Sequence, residues 1–262
     1  MALSTPRLVL LVFGVLLVVC GVSVGVSEAF KHDRTTTATI ERHIERVVVR
    51  AGTGKVHLEG TQSQRVMVRE QLQWLWRKPT VHTSVRGATL TVSGSCPDTG
   101  PVNRCKADID LAIPFDADVV VQGDSGDISA ERLAGHLKLT TDSGDVTARD
   151  LNAISVAATT NAGDVDVAFT TEPVSVSANS NSGDVLVTVP AGGEYRVDAT
   201  TAAGDVSVEG VLRNDRALRS IAATADAGDV TVEGILRNDR ALRSISATAD
   251  AGDVTVRGRQ PS

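Results

Sequence analysis

A four-residue turn signal recurs seven times in the second half of this chain. Most copies read Asp or Asn, a small residue, Gly and Asp, followed by Val or Ile, and they recur every 18 to 24 residues. The seven glycines are Gly126, Gly144, Gly163, Gly183, Gly204, Gly228 and Gly252. A fixed feature at this period indicates a repeat architecture, in which each unit packs only against its neighbours.

Apolar residues alternate with polar ones on both sides of each turn. In one unit Ile221, Ala223 and Ala225 precede the turn, and Val230 and Val232 follow it. Period two predicts strands with one buried face, and an aromatic content of 3% predicts a core of small and β-branched side chains. We therefore predict an all-β fold, a parallel β-solenoid with about 18–24 residues per coil. The alternative is an antiparallel β-meander in which each turn closes a hairpin.

The repeat is nearly verbatim at the C-terminal end and weaker upstream. Residues 205–228 and 229–252 differ at only three positions, and Gly54-Lys55 resembles a turn in which Lys replaces Asp. A solenoid tolerates duplication of a whole unit, because each coil contacts only its neighbours.

The N-terminus carries an apolar stretch from Leu8 to Val26. Nineteen uncharged residues nearly cross a bilayer core, so we predict a single-pass signal anchor that leaves the bulk of the chain outside the cytoplasm. The alternative is a signal peptide cleaved at Ser27-Glu28-Ala29, which predicts secretion. A lipoprotein cut before Cys20 is a third interpretation, although Val19 stands where a small residue is expected.

Cys96 and Cys105 are the cysteines outside the apolar stretch. A pair beyond an export signal predicts a disulfide, which stabilises by roughly 2–3 kcal/mol in the chain-entropy model. A zinc site needs more ligands, and no histidine lies nearby in the sequence.

These features predict four segments. They are a signal anchor at 1–29, a juxtamembrane linker at 30–43, an N-terminal β region with the disulfide loop at 44–122, and the Gly-Asp repeat solenoid at 123–258.

If the coils stack, the turn aspartates form a row about 5 Å apart, and like charges so close repel each other. We expect the backbone N–H groups of each turn to occupy the carboxylates. The alternative is a calcium ladder, because hard oxygen ligands suit that ion. Its candidate ligands are Asp127, Asp145, Asp229 and Asp253, assisted by Asp124, Asp142, Asp226 and Asp250. No other cofactor is predicted.

Catalytic and nucleic-acid signals are weak. Gly123-Asp124-Ser125-Gly126 resembles the string around a trypsin-like nucleophile, but its recurrence at other turns indicates a turn element. The formal charge of −6 argues against nucleic acid, and the basic aromatic spot from Trp74 to Lys78 is too small for a binding stripe. We instead expect Leu72, Trp74 and Trp76 to cap the first coil.

Several short motifs occur together between about residues 40 and 257. They are Cys96-Pro97 with Cys105, Leu111-Ala112-Ile113-Pro114, the serial Ser/Ala-Gly-Asp-Val strings, Val189-Pro190 with Tyr195-Arg196-Val197, and Arg219-Ser220-Ile221. In this combination the chain resembles a bacterial "putative adhesin" family of β-strand repeat-containing proteins of unknown function. The resemblance implies an extracytoplasmic protein of stacked strands.

We therefore expect a membrane-anchored protein with a binding, adhesion or scaffold role at the cell envelope and no catalytic activity. Its ligand would be an envelope glycan or protein. The competing hypothesis is a polysaccharide-degrading enzyme on a parallel β-helix, which requires acidic and basic side chains that converge on one groove.

Overall fold

The structure is a computed structural model that describes residues 32–97, 105–213, 216–241 and 246–255. The predicted anchor, its cleavage site and Cys20 lie outside these residues. The described part contains 19 strands and no helix that could span a membrane. The strands are β1 (His32–Ile40), β2 (Arg46–Thr53), β3 (Val56–Thr61), β4 (Val66–Trp74), β5 (Thr80–Arg86), β6 (Thr89–Ser95), β7 (Lys106–Pro114), β8 (Asp118–Ser125), β9 (Ile128–Glu131), β10 (His136–Ser143), β11 (Val146–Leu151), β12 (Ser155–Ala162), β13 (Val165–Phe169), β14 (Ser175–Ser182), β15 (Val185–Glu209), β16 (Leu212–Arg213), β17 (Ser220–Ala227), β18 (Val230–Ala241) and β19 (Ser246–Thr255).

Each coil contributes one strand to each of two faces. The first face stacks β2, β8, β10, β12, β14 and β17 in parallel. The second face stacks β3, β9, β11, β13, the start of β15 and β18 in parallel. The predicted parallel solenoid is confirmed. The hairpin meander is wrong for the repeats, because each turn carries the chain to the other face and not to a hydrogen-bonded neighbour.

The order of the coils in space departs from the order in sequence at two places. Strand β2 lies between β6 and β8, so the β6–β7 coil sits outside the β2–β3 coil. Likewise β17 lies between β14 and the second half of β15, residues 196–209. Every coil presents the same pair of hydrogen-bonding edges, and the stack therefore does not require neighbours in sequence to be neighbours in space.

Antiparallel strands close the N-terminal end of the stack. Strand β4 pairs antiparallel with β7 and β1, and β5 pairs antiparallel with β6. The prediction of a juxtamembrane linker at 30–43 is therefore wrong for His32–Ile40, because these residues form the edge strand β1. Its four Thr residues suit an extended backbone, and all nine of its positions pair with β4.

The predicted aromatic cap is correct only in part. Leu72 is buried, but Trp76 follows the end of β4 and is 76% exposed. The antiparallel strands, and not Trp76, therefore cover the end of the core.

Inward side chains from both faces form one continuous core. It is built from Val, Ala, Ile and Leu, as the low aromatic content predicts, and Phe169 and Tyr195 also lie in it. Inward residues of consecutive coils stack on each other, as Val156 does on Val176. There is no break at residue 122, because β2 and β3 pair directly with β8 and β9.

Two constraints favour glycine at the corners, and Gly163 illustrates both. Its φ of +139° is a conformation that L side chains rarely adopt. A Cβ at this position would also lie 2.3 Å from the carbonyl oxygen of Gly144 in the neighbouring coil. The Gly163 amide donates to the Ser182 carbonyl of the coil on the other side, at 2.9 Å. The corner backbones therefore stack in contact, with no room for a side chain.

We predict that Gly163→Ala lowers the free energy of unfolding by at least about 3 kcal/mol, since the methyl group must push two coils apart. The matched control is Gly87→Ala, where φ is +59° and the added methyl would meet nothing within 4 Å. That variant carries only the backbone strain of about 1–2 kcal/mol. Urea unfolding monitored by circular dichroism measures both, and equal losses would contradict the steric role of the corner.

Candidate functional site

The repeated corners form one edge of the stack, here called the Gly-Asp edge. Along it the glycines follow the order Gly54, Gly126, Gly144, Gly163, Gly183, Gly228 and Gly204, with Gly252 in register beside Gly204. Gly54 has a φ of +144°, so the weak upstream copy is a true member of the row. The edge brings together all seven turns that the sequence singled out.

Buried hydroxyl groups hold the corners from inside. Thr160 lies three residues before Gly163, is fully buried, and its Oγ1 donates to the Gly144 carbonyl at 2.9 Å. Ser180 makes the same bond to the Gly163 carbonyl at 2.8 Å. Thr141, which is also buried, and Thr201, which is half-buried, donate to corner carbonyls in the same way. Each hydroxyl satisfies a carbonyl oxygen and is itself satisfied, which removes the cost of burying either group.

The turn aspartates bond to the next coil. The amide of Asp164 donates to Asp145 Oδ1 at 2.9 Å, that of Asp184 to Asp164 Oδ1 at 2.8 Å, and that of Asp229 to Asp184 Oδ1 at 2.7 Å. We expected the N–H groups of the same turn to occupy each carboxylate, and that expectation is wrong in its geometry. The donor comes from the adjacent coil, because the stacking places its amide directly beside the carboxylate.

Lys55 places a positive charge in the aspartate row, between Asp127 and the outermost coil. Its Nζ lies 2.7 Å from Asp127 Oδ2, and its amide donates to Asp108 Oδ1, also at 2.7 Å. The hydrogen bond and the charge of Asp127 raise the pKa of Lys55, and the same contact lowers the pKa of Asp127. Asp108 takes the place of the turn carboxylate in the outermost coil, where it also contacts Lys106.

A second polar row lies at the first position of the turns. Asn161 Nδ2 donates to Asp142 Oδ1 at 3.2 Å, and Asn181 Nδ2 donates to Asn161 Oδ1 at 3.2 Å. An amide can both donate and accept, whereas an ionised carboxylate only accepts. The two Asn replacements therefore remove like-charge repulsion and link three coils.

The calcium candidates occupy the predicted row, but they do not converge. Among the residues whose side chains the structure describes, no three His, Cys, Asp or Glu side chains are grouped so that they could hold a metal ion. Each coil adds one aspartate, and one oxygen of Asp145 and Asp184 is engaged by an amide. The Asp253 backbone is in register with Asp205, while its side chain is outside the described set.

The two predicted disulfide cysteines are joined. Cys96 and Cys105 have Cα atoms 5.8 Å apart and connect β6 to β7 where other coils use a Gly-Asp corner. The disulfide thus belongs to the Gly-Asp edge, in its outermost coil.

The sequence motifs did not reveal the hydroxyl row or the role of Asp108. The signal for the first was present, since Thr141, Thr160, Ser180 and Thr201 all stand three residues before a corner glycine. No signal identified Asp108, because its coil lacks the turn motif and its neighbour in space is remote in sequence.

Ala225 leaves a gap in the hydroxyl row. It is aligned with both Ser180 and Thr201, which carry the donor in the flanking coils. We predict that Ala225→Ser raises the free energy of unfolding by about 1 kcal/mol through a bond to the Gly183 carbonyl. Ala223→Ser is the control, because it buries a hydroxyl away from the corner and should cost about 1–3 kcal/mol. Urea denaturation measures the free energy of unfolding of both variants. A lower value for Ala225→Ser than for the wild type would contradict the role assigned to the hydroxyls.

Because of the Lys55–Asp127 pair, we predict that Lys55→Met lowers the free energy of unfolding by an amount that depends on pH. Because the pKa of Asp127 is lowered in the folded state, its carboxylate stabilises the fold above the unfolded-state pKa of about 3.9. That stabilisation is lost as the pH falls through the folded-state pKa. Because the pKa of Lys55 is raised in the folded state, its ammonium group stabilises the fold below the unfolded-state pKa of about 10.4. That stabilisation is lost as the pH rises through the folded-state pKa. Lys55→Met should therefore destabilise at neutral pH and converge on the wild type in acid.

Urea titrations at pH 7 and about pH 2 test this dependence. Lys138→Met, which removes an exposed lysine from β10, should be insensitive to pH over the same interval. A loss in Lys55→Met that is equally large at both pH values would assign the effect to the alkyl chain and not to the charge.

Comparison with known proteins identifies a family and two similar solved structures. A search of curated proteins returned no match. Two solved structures are similar at 12% identity. A "putative cell adhesion protein" from Clostridium sporogenes ATCC 15579 has a TM-score of 0.44, with 88% of this chain and 100% of that one covered. A "putative adhesin" from Bacteroides fragilis NCTC 9343 has a TM-score of 0.39, with 86% and 97% covered. The family model Toastrack DUF4097 matches residues 37–224, and the chain therefore belongs to the Toastrack DUF4097 family.

Proposed function

We propose that this chain is a single-pass membrane protein whose β-solenoid stands outside the cytoplasm and serves as a binding or scaffold surface at the cell envelope. The apolar stretch from Leu8 to Val26 supplies the anchor. The observation that carries the proposal is the Gly-Asp edge itself. Its polar groups bond from coil to coil and keep the coils in register. The regular stack in turn exposes long surfaces to partners.

The disulfide supports the extracytoplasmic location. Cys96 and Cys105 form a bond that persists in oxidising compartments and is rare in a reduced cytosol. It closes the coil that pairs with β4, and β4 pairs in turn with β1, the first strand after the apolar stretch. A covalent link is most useful at this end, because the terminal coil lacks a second parallel neighbour.

The arrangement of charged groups favours binding over catalysis. A shallow concavity of about 480 Å³ on the second face contains Asp110, Glu131 and His57 beside Lys55 and Arg149. Its charged groups already have partners, since Gln71 donates to Asp110, Arg132 contacts Glu131, Asp127 contacts Lys55 and Asp166 contacts Arg149. A polysaccharide-degrading site requires groups free to exchange protons with a substrate, so we propose no enzymatic activity for this surface.

The native cysteines test the location. In intact source cells, mild reduction followed by a membrane-impermeant maleimide should label Cys96 and Cys105, and the labelled chain should sediment with membranes. Cys20 is the internal control, since a bilayer-embedded thiol is not labelled, and a Cys96→Ser/Cys105→Ser variant should give no signal. Labelling only after lysis would contradict the proposal, and labelled protein in the medium would support the secreted alternative.

The binding role is tested by capture from detergent-solubilised cell envelope on the full chain. We expect an envelope glycan or protein to be retained by the full chain and not by residues 1–31 carrying the same tag. Identical material on both would mean that the anchor does the capturing, and the solenoid would then act as a spacer.

A further inference from the structure

The connection between β4 and β5 projects from the N-terminal end of the stack. This tip segment, residues 74–79, carries the chain from the second face to the first at the Gly-Asp edge, beyond the disulfide. It contains both tryptophans of the chain, followed by Arg77 and Lys78. The hypothesis of an aromatic cap does not explain it, because Trp76 is 76% exposed.

The chain enters the fold directly beside this tip segment. His32, the first residue of β1, pairs with Trp74, and their rings stack with centroids 5.6 Å apart. Only residues 27–31 separate Val26, the end of the apolar stretch, from His32. Six extended steps of at most about 3.6 Å reach roughly 20 Å, so an embedded anchor must hold the tip segment close to the membrane surface.

The end of the stack that bears the tip segment is basic, although the whole chain carries a formal charge of −6. Strands β1, β4 and β5 together with the tip segment contain five basic residues and two acidic ones. The basic residues are Arg34, Arg69, Arg77, Lys78 and Arg86, and the acidic ones are Asp33 and Glu70. The surface nearest the anchor thus attracts anions.

The side chains of the tip segment have the chemistry of a membrane interface. Tryptophan is enriched at the level of lipid headgroups, where its ring is partly apolar and its N–H remains wet. Lys78 Nζ lies 5.9 Å from the Trp74 ring centroid, so charge and ring are presented together. Basic side chains beside such rings pair with the phosphates of anionic lipids.

We infer that the tip segment docks on the anionic headgroup layer of the membrane in which the Leu8–Val26 stretch is embedded, with Trp76 inserted and Arg77 and Lys78 on phosphate groups. The inference rests on the proposed membrane anchoring. It sets the orientation of the solenoid, since the docked end lies at the bilayer and the repeats extend away from it.

Trp74 and Trp76 make the docking directly measurable, because no other tryptophan contributes to the fluorescence. The full chain is reconstituted in phosphatidylcholine vesicles with and without phosphatidylglycerol, and quenching by brominated lipid is recorded. We expect a shift of emission to shorter wavelength and strong quenching in the anionic vesicles. Both effects should be lost at 1 M salt, where the screening length falls to about 3 Å. Trp74→Phe should retain the signal, and Trp76→Phe should lose most of it.

Charge variants test whether Arg77 and Lys78 contact the lipid phosphate groups. Arg77→Gln and Lys78→Gln should each lower the ratio of docked to undocked tip about fivefold, the effect of one basic residue near an anionic surface. Lys138→Gln, which removes an exposed charge from β10, should leave the ratio unchanged. Equal quenching in both lipid mixtures would overturn the role of anionic headgroups, as would a signal unaffected by the charge variants.

Vesicle flotation separates the two levels of the proposal. A chain that floats with vesicles but shows no quenching would overturn docking and leave anchoring intact. A chain that fails to float would contradict the anchor itself. A shift produced in detergent by a soluble anionic cell-wall polymer, and absent with anionic lipid, would assign the tip segment to that polymer and overturn the lipid proposal.

Discussion

The structure depends on the close stacking of glycine corners. Each corner approaches its neighbour so tightly that a Cβ on Gly183 would lie 2.2 Å from the carbonyl oxygen of Gly163. The same approach brings amides, hydroxyls and carboxylates of adjacent coils within hydrogen-bond reach. A residue with a side chain at the corner would separate the coils and disrupt all three rows together, so the glycines set the spacing on which the other contacts rely.

The polar rows explain why an edge rich in aspartate is stable without a dense set of counter-ions. In the first row, amides of the next coil occupy the carboxylates and Lys55 supplies a positive charge beside Asp127. In the second row, Asn161 and Asn181 interrupt the run of carboxylates. The Gly-Asp edge is therefore a structural device. The binding role that we propose would fall to the surfaces that the stack exposes elsewhere.

The two ends of the stack differ in chemistry. The N-terminal end changes from parallel to antiparallel pairing, is closed by a disulfide and carries excess basic charge. The repeats beyond it are regular and acidic. This polarity suits a molecule held at one end, because the irregular strands and the tip segment lie where the chain enters the fold. Anchoring and the proposed tip docking together would present the regular faces away from the bilayer.

The sequence by itself determined the all-β class, the seven corners and the disulfide, because local turn chemistry and period-two alternation act over a few residues. Only the tertiary structure decided which coils touch. The placement of residues 196–209 outside β17, the capping by β1 and the pairing of Lys55 with Asp127 all join segments far apart in the chain. Near-identical units offer equivalent edges, so local patterns do not specify their order, and the partner of each aspartate follows from that order.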